Sequence, residues 1–297
     1  MHHAVHYNSC PVCHSTSLKE VMMVEDASVS KEKFSIMECG DCSFRFTDKA
    51  PCETAVGRYY QSADYVSHSD SRKGLINTLY HLARKYTIGS KVSFVKKVTG
   101  RAVGMHLDVG SGTGSFVHAM EKAGWSSTGL EPDSNAREIA AKKYKADVFP
   151  AEDFFTLPES TYDVITMWHV LEHVHRLDDY LVQLKKLLNP NGKLIVAVPN
   201  YKSRDAQTYG ANWAAYDVPR HLYHFSPSSM RKLMERHGLK VKQTKPMWLD
   251  SFYVSMLSEK YKKGNFIRAI WNGFVSNLIT FFHREQCSSL IYVMAKK

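Results

Sequence analysis

At 297 residues the chain has length for about two domains of average size. Its 44% hydrophobic and 23% charged residues exclude a disordered, collagenous or low-complexity protein. The formal charge of +10 is local, because residues 231–297 carry 13 Lys and Arg against 4 Asp and Glu. Such a surplus suits a nucleic acid, an anionic membrane surface, an acidic substrate or simply a solvated face, and charge alone chooses none of them.

The first residues lack the apolar run of a secretory signal, which points to a cytoplasmic protein. Cys10-Pro-Val-Cys13 and Cys39-Gly-Asp-Cys42 form two C-x-x-C pairs with 25 residues between them. Pairs at this spacing read as a zinc ribbon in which four thiolates close a tetrahedral shell around a structural Zn²⁺. Disulfides or a redox dithiol are the alternatives, and reduced thiols in a chain without a secretion signal favour the metal. With all four positions filled by sulfur, the ion supports folding rather than catalysis. Cys52 and Cys287 are left over and read as small buried hydrophobes.

A helix-leaning segment over residues 69–99 precedes a buried strand over 103–109. The loop Gly110-Ser111-Gly112-Thr113-Gly114 then feeds a helix over 115–122. Side-chain-free positions admit a ligand close to the backbone, and a helix N-terminus offers unpaired N–H groups. The next strand, 127–130, ends on Glu131, 17 residues after Gly114, where an acid reaches ribose hydroxyls. A helix over 133–143, strands over 146–149 and 162–168, a helix over 177–188 and a strand over 193–198 continue the β-α-β rhythm of a parallel sheet.

Four motifs in this order carry a resemblance to a known family: Leu107-Asp108-Val109 with the glycine loop, Gly129-Leu130-Glu131-Pro132, Tyr162-Asp163-Val164-Ile165 with Leu171-Glu172-His173-Val174, and Leu188-Asn189-Pro190-Asn191-Gly192-Lys193. Over residues 101–245 the chain resembles class I S-adenosylmethionine-dependent methyltransferases. Within them it is most similar to the ubiquinone-biosynthesis-like branch (methyltransferase type 23/11), including members with an N-terminal zinc ribbon. The resemblance implies an α/β, Rossmann-like sheet of seven strands, the last antiparallel, with helices on both faces and strands at 193–198, 240–245 and 290–295 closing the order. It also implies roles. Asp108 would hold the methionine amino group; Gly110, Ser111, Gly112 and Gly114 would line the cofactor; Glu131, followed by Pro132, would grip the ribose. Glu152, then Asp153, would reach the adenine amino group, and Trp168 and His169 would pack on the methionine part, an aromatic there suiting a sulfonium.

Methyl transfer is an in-line displacement, so the acceptor must be aligned and, when it is a hydroxyl, relieved of a proton. Histidines at strand ends are the candidates: His169, His173, His221 and His224. Arg220 belongs to the same aromatic, charged loop over 212–227 and suits an acceptor carboxylate or phosphate, or an interdomain salt bridge. His2, His3, His6 and His81 read as bland. Ser226 and Pro227 read as the cap and first residue of a helix.

The expected organisation is a ribbon over 1–50, a helical lead-in over 51–100, and a methyltransferase domain over 101–297 with a helical insertion at about 250–287. The apolar stretch 266–282, interrupted by Arg268, Asn272 and Asn277, falls short of the about 20 residues that span a bilayer. It reads as a cap over the site or a dimer contact, with an interfacial helix for peripheral membrane contact as the alternative. The expected function is S-adenosylmethionine-dependent methylation of a small-molecule, envelope- or sugar-type acceptor, anionic or lipid-linked, at oxygen ahead of carbon or nitrogen. A monomer or homodimer is expected. Nucleic acid is disfavoured, although an RNA-binding methyltransferase stays open because residues 84–101 hold six cations and no acid. A nicotinamide-dependent oxidoreductase is disfavoured because the loop reads G-x-G-x-G rather than G-x-G-x-x-G.

Overall fold

The structure, a computed structural model, describes residues 4–61 and 75–297, with side chains from residue 87 onward in the second stretch. His2, His3, the side chain of His81 and residues 62–74 of the expected lead-in lie outside the described residues. Strands β1 (Leu18–Glu25), β2 (Lys33–Cys39) and β3 (Arg45–Thr47) come first. Helix α1 (Leu75–Thr99) leads into β4 (Met105–Val109), α2 (Ser115–Lys122), β5 (Ser126–Leu130), α3 (Ser134–Ile139), β6 (Val148–Phe149) and β7 (Tyr162–Trp168). Then come α4 (Leu177–Leu187), β8 (Leu188–Pro199), α5 (Arg204–Tyr209), β9 (Tyr223–His224), α6 (Pro227–Arg236) and β10 (Leu239–Pro246). Helices α7 (Asp250–Tyr261) and α8 (Phe266–Phe282) precede β11 (Ser289–Lys296).

Seven strands form one sheet in the order β10-β11-β8-β7-β4-β5-β6, with the last strand of the chain antiparallel, as expected. β4 pairs in parallel with both β5 and β7, and β5 in parallel with β6. The chain therefore runs outward from β4 in one direction and returns to its other side through β7. That makes the carboxyl end of β4 the switch point where open α/β sheets take their ligands.

Packing divides the chain into two units, one of residues 1–65, 169–178 and 196–292, the other of residues 66–168, 179–195 and 293–297. In the first, β1, β2, β3 and β9 make a four-stranded sheet, and β9 joins it through Arg45↔His224 and Phe46↔Tyr223. The apolar side of this sheet is not a private core. Val24, Phe34, Ile36 and Tyr59 share one buried cluster with Tyr201, Trp213, Tyr216 and Val218. Buried Asp205 ties the same unit together by accepting from Trp213 Nε1 at 2.8 Å, Ser276 Oγ at 3.0 Å and Ser288 Oγ at 2.7 Å.

Local chemistry sets several boundaries. Ser226 caps α6 in a reciprocal capping box with Ser229, and Pro227 takes the first helical position, as the sequence predicts. The expected helix over 133–143 is shorter, because α3 stops at Ile139 and a π-turn over Ala140–Tyr144 follows. The widened turn fits the glycine loop. A Cβ on Gly114 would lie 2.8 Å from Ala140 Cβ and 3.2 Å from Ala146 Cβ. β8 starts at Leu188 rather than at 193, since Asn189 to Gly192 continue in extended form. α8 buries only the small residues Ala269, Gly273, Ser276 and Thr280, on a stripe against α7 where a Cβ on Gly273 would meet Phe252 at 2.6 Å. Its other side leaves Phe266, Ile267, Trp271, Phe274, Phe281 and Phe282 exposed. Among the described residues no helix is long and apolar enough to cross a membrane.

Candidate active site

The glycine loop leaves β4 in a conformation its sequence dictates. Gly110, Gly112 and Gly114 have φ of 74°, 53° and 72°, the left-handed region that glycine enters without a Cβ penalty. Gly110 and Ser111 donate N–H bonds to Leu130 O at 2.8 and 2.9 Å, which fixes the loop to the end of β5. There the Glu131 carboxylate accepts from Gly112 N at 2.8 Å and from Asp133 N at 3.0 Å. Gly129 is equally constrained, as a Cβ would stand 2.5 Å from Ser111 Oγ. The loop, Glu131 and the N-terminus of α2 thus form a backbone-lined cradle with a carboxylate held beside it, the form a nucleoside-bearing cofactor requires.

Asp108 is buried at the end of β4 and belongs to a relay the sequence did not reveal. Thr166 Oγ1 donates to Asp108 Oδ1 at 2.6 Å, so the 2.9 Å contact between Thr166 Oγ1 and His106 Nε2 is donated by the imidazole. Burial pushes His106 down to about 3, leaving a neutral ring whose Nδ1 accepts from Ser127 Oγ at 2.7 Å. Burial raises the Asp108 carboxyl to about 7, against the opposing Thr166 bond and the charge of Lys91. Lys91 of α1 was also missed. Its Nζ sits 4.1 Å from the centroid of the Trp168 ring and 5.9 Å from that of Phe116. Its only sequence signal was membership of the basic run 84–101. Pro132 is exposed beside Glu131; Glu152 is exposed and Asp153 half-buried on a short 3₁₀ turn after β6.

In the other unit, His169, the residue after Trp168, has a φ of 59°, a strained state for a side chain of this size. Its Nε2 lies 3.1 Å from Asp250 Oδ2 and its Nδ1 3.4 Å from Glu172 Oε1. Burial alone would lower this histidine, but Asp250 and Glu172 outweigh it and carry the ring up to about 10. His173 and His221 stack edge to face with centroids 4.5 Å apart. Burial and the neighbouring His221 push His173 down to about 4. The structure therefore brings three of the four expected histidines together around Glu172, a residue the H-x-x-E-H spacing could have flagged.

Arg220 and His224 are engaged elsewhere. The Arg220 guanidinium is 1% exposed and donates to Asp217 Oδ2 at 2.9 Å, Asp217 Oδ1 at 2.6 Å, Asp26 Oδ1 at 3.0 Å, Ser28 Oγ at 2.7 Å and Tyr59 O at 2.8 Å. This is a tie between the β1–β2 loop and the 212–227 loop. His224 Nε2 meets Thr47 Oγ1 at 3.0 Å beneath the edge of Tyr216.

The four ribbon cysteines converge. Cys10 and Cys42 Sγ are 3.5 Å apart, as are Cys13 and Cys39 Sγ, and all four sulfurs lie within 4.8 Å of one another. Sulfurs about 3.8 Å apart surround a tetrahedral ion with metal–sulfur bonds of about 2.3 Å, so the donor set fits zinc. Among the described residues no disulfide joins any of the six cysteines.

An α/β sheet in this strand order, with a glycine loop at its switch point and an acid at the end of the next strand, is the class I methyltransferase fold. A family model described as a methyltransferase domain matches residues 80–244, more than half of the chain, and the chain belongs to that family. Among curated proteins it is similar to the mitochondrial ubiquinone biosynthesis O-methyltransferase of Schizosaccharomyces pombe, 32% identical over 100 residues, 31% of this chain and 36% of that one. The ubiquinone biosynthesis O-methyltransferase of Hydrogenovibrio crunogenus is 26% identical over 166 residues, covering 52% of this chain and 69% of that one. The match spans about a third to about half of the first relatives' own length. Among solved structures, the magnesium protoporphyrin IX methyltransferase of Synechocystis with bound SAH shares the fold, with a TM-score of 0.53, 15% identity, and coverage of 80% of this chain and 97% of that one.

Proposed function

We propose that the protein transfers the methyl group of S-adenosylmethionine to a hydroxyl oxygen of a small-molecule acceptor. The observation that carries the reading is an intact glycine cradle with Glu131 in one unit and a buried Glu–His cluster, starting at the residue after β7, in the other. The relatives named as O-methyltransferases support oxygen as the accepting atom. In the reaction an oxygen lone pair attacks the methyl carbon, the S–C bond breaks with its electrons passing to sulfur, and the hydroxyl proton leaves to a neutral imidazole, His173 or His221, while His169 stays the protonated partner of Glu172 and Asp250.

The cofactor would be held as follows: Glu131 takes the ribose hydroxyls, Asp108 the methionine ammonium, Glu152 or Asp153 the adenine amino group, and Trp168 packs beside the sulfonium. Lys91 supplies a cation for the methionine carboxylate. Arg220 and His224 support the acceptor side through the fold rather than by touching substrate, since their polar atoms are occupied. Cys10, Cys13, Cys39 and Cys42 hold a structural zinc ion. An anionic or lipid-linked acceptor fits the exposed apolar row of α8, which is flanked by exposed Lys260, Lys262, Lys263, Arg268 and Arg284.

Calorimetric titration with S-adenosylmethionine and S-adenosylhomocysteine tests the reading. The wild type should bind both, and Glu131→Ala should weaken both about tenfold or more, the loss of charged hydrogen bonds worth about 1.5–3 kcal/mol. Unchanged affinity in the variant would remove Glu131 from the ribose site, and absence of binding by the wild type would remove the cofactor assignment.

A further inference from the structure

The Glu172 side chain is fully buried, and among the described residues neither of its carboxylate oxygens has a hydrogen-bond donor in good geometry. The nearest cation, His169, approaches only to 3.4 Å. The His169 ring, which Glu172 and Asp250 hold protonated, offsets the carboxylate's charge, but the carboxylate's lone pairs are left without a well-aligned donor, which leaves room for a further ligand atom.

The surrounding imidazoles are oriented toward that need. His173 donates from Nδ1 to Arg220 O at 3.1 Å, with Tyr60 Oη 3.2 Å from the same nitrogen. His221 donates from Nδ1 to Ala215 O at 2.9 Å. A neutral ring that donates from Nδ1 carries its lone pair on Nε2. One ligand atom from each of Glu172, His173 and His221 lies within 4.8 Å of the other two. Backbone carbonyls fixing the far nitrogen of each ring are the outer support that metal-binding histidines use. The whole group sits within one compact unit.

We propose that Glu172, His173 and His221 form a second metal site, distinct from the four-cysteine cluster, which takes one divalent transition-metal ion through two imidazoles and a carboxylate. Two nitrogen donors with one carboxylate select Zn²⁺, Mn²⁺, Fe²⁺ or Co²⁺ over Mg²⁺, which prefers an all-oxygen shell. Three protein ligands leave positions open, unlike the closed sulfur shell of the ribbon. His169 stands next to Glu172, and Asp250 holds its far nitrogen, which makes this pair the support of the carboxylate. The inference deepens the proposed function and rests on it for its purpose: an ion here would polarise the acceptor oxygen in place of a simple base.

The test uses the full chain with the ribbon loaded with zinc, to which Mn²⁺ is added and followed by calorimetry and by loss of the free-ion electron paramagnetic signal. One Mn²⁺ per chain should bind. Glu172→Gln and His221→Ala should each weaken it about 100-fold or more, ligand loss exceeding the 10- to 100-fold typical of outer partners. Both variants should retain S-adenosylhomocysteine binding and the wild-type circular dichroism spectrum. Co²⁺ in the same site should give d–d bands without thiolate charge transfer. Should either variant lose its fold, Tyr60→Phe, which removes the hydroxyl contact to the His173 nitrogen and keeps the ring, should weaken Mn²⁺ about tenfold. Failure of Mn²⁺ and Co²⁺ to bind at millimolar concentration, or binding undiminished in folded variants, would overturn the site. Because S-adenosylhomocysteine is titrated separately, loss of the metal result alone leaves the methyltransferase reading standing.

Discussion

Single buried charges set the behaviour of this protein most directly. Asp108 is held protonated below about pH 7 by burial. If it receives the methionine ammonium, that positive charge must ionise it, so cofactor binding near pH 6 should release a proton. Calorimetry in buffers of different ionisation heat reads this as a buffer-dependent enthalpy that fades by pH 8, and a buffer-independent enthalpy at pH 6 would argue against the contact. Asp26 behaves oppositely. Burial would raise its carboxyl, but the Ser30 N–H and Arg220 hold it down to about 2, below its ordinary 3.8. A depressed carboxylate contributes stability that is complete above the ordinary value and is lost as pH falls toward the folded one. The stability of the wild type should therefore drop between about pH 4 and 2 by an increment that Asp26→Asn lacks, as denaturant melts at each pH will show. Arg220→Met leaves Asp26 buried without its cation, and about 3–5 kcal/mol of stability should go with it. A melt shifted by less than 1 kcal/mol would mean that the tie is dispensable.

Secondary elements divide into those that their own sequence explains and those that depend on distant partners. α6 is explained by Ser226, Pro227 and its apolar stripe, and the glycine loop by three residues that alone tolerate its backbone. β9 is different. Tyr223 and His224 carry no recognisable strand signal and become a strand because β3 offers its edge at Phe46 and Arg45. The π-turn after α3 likewise answers the close approach of the loop at Gly114 to Ala140. Gly114→Ala should thus cost twice, through a positive φ and a clash. Thermal melting is expected to reveal a loss of about 1–3 kcal/mol, with cofactor affinity reduced as well.

For the molecule as a whole, the four-cysteine unit is where the proposed zinc binding would meet folding. Its strands share a core with residues 201–218, and Arg220 reaches across 194 residues to Asp26. With zinc in the four-cysteine cluster as proposed, a chelator should therefore weaken protection in the 201–225 segment as well as in 18–47, measured by hydrogen exchange; protection lost only in 18–47 would show an autonomous module. The Rossmann-like sheet, the glycine loop with Glu131 beside it and the paired cysteines were legible in the sequence because each rests on local periodicity, backbone tolerance or fixed spacing. His169, His173 and His221 could be listed as candidates, yet nothing local distinguished them from Arg220 or His224. What only the tertiary structure decided is which of those side chains face one another: Glu172 with His173 and His221, Arg220 with Asp26, Lys91 over Trp168. Such contacts join residues far apart in the chain, so they follow from how the core packs and which buried charges need partners, and neither is written in any short window of sequence.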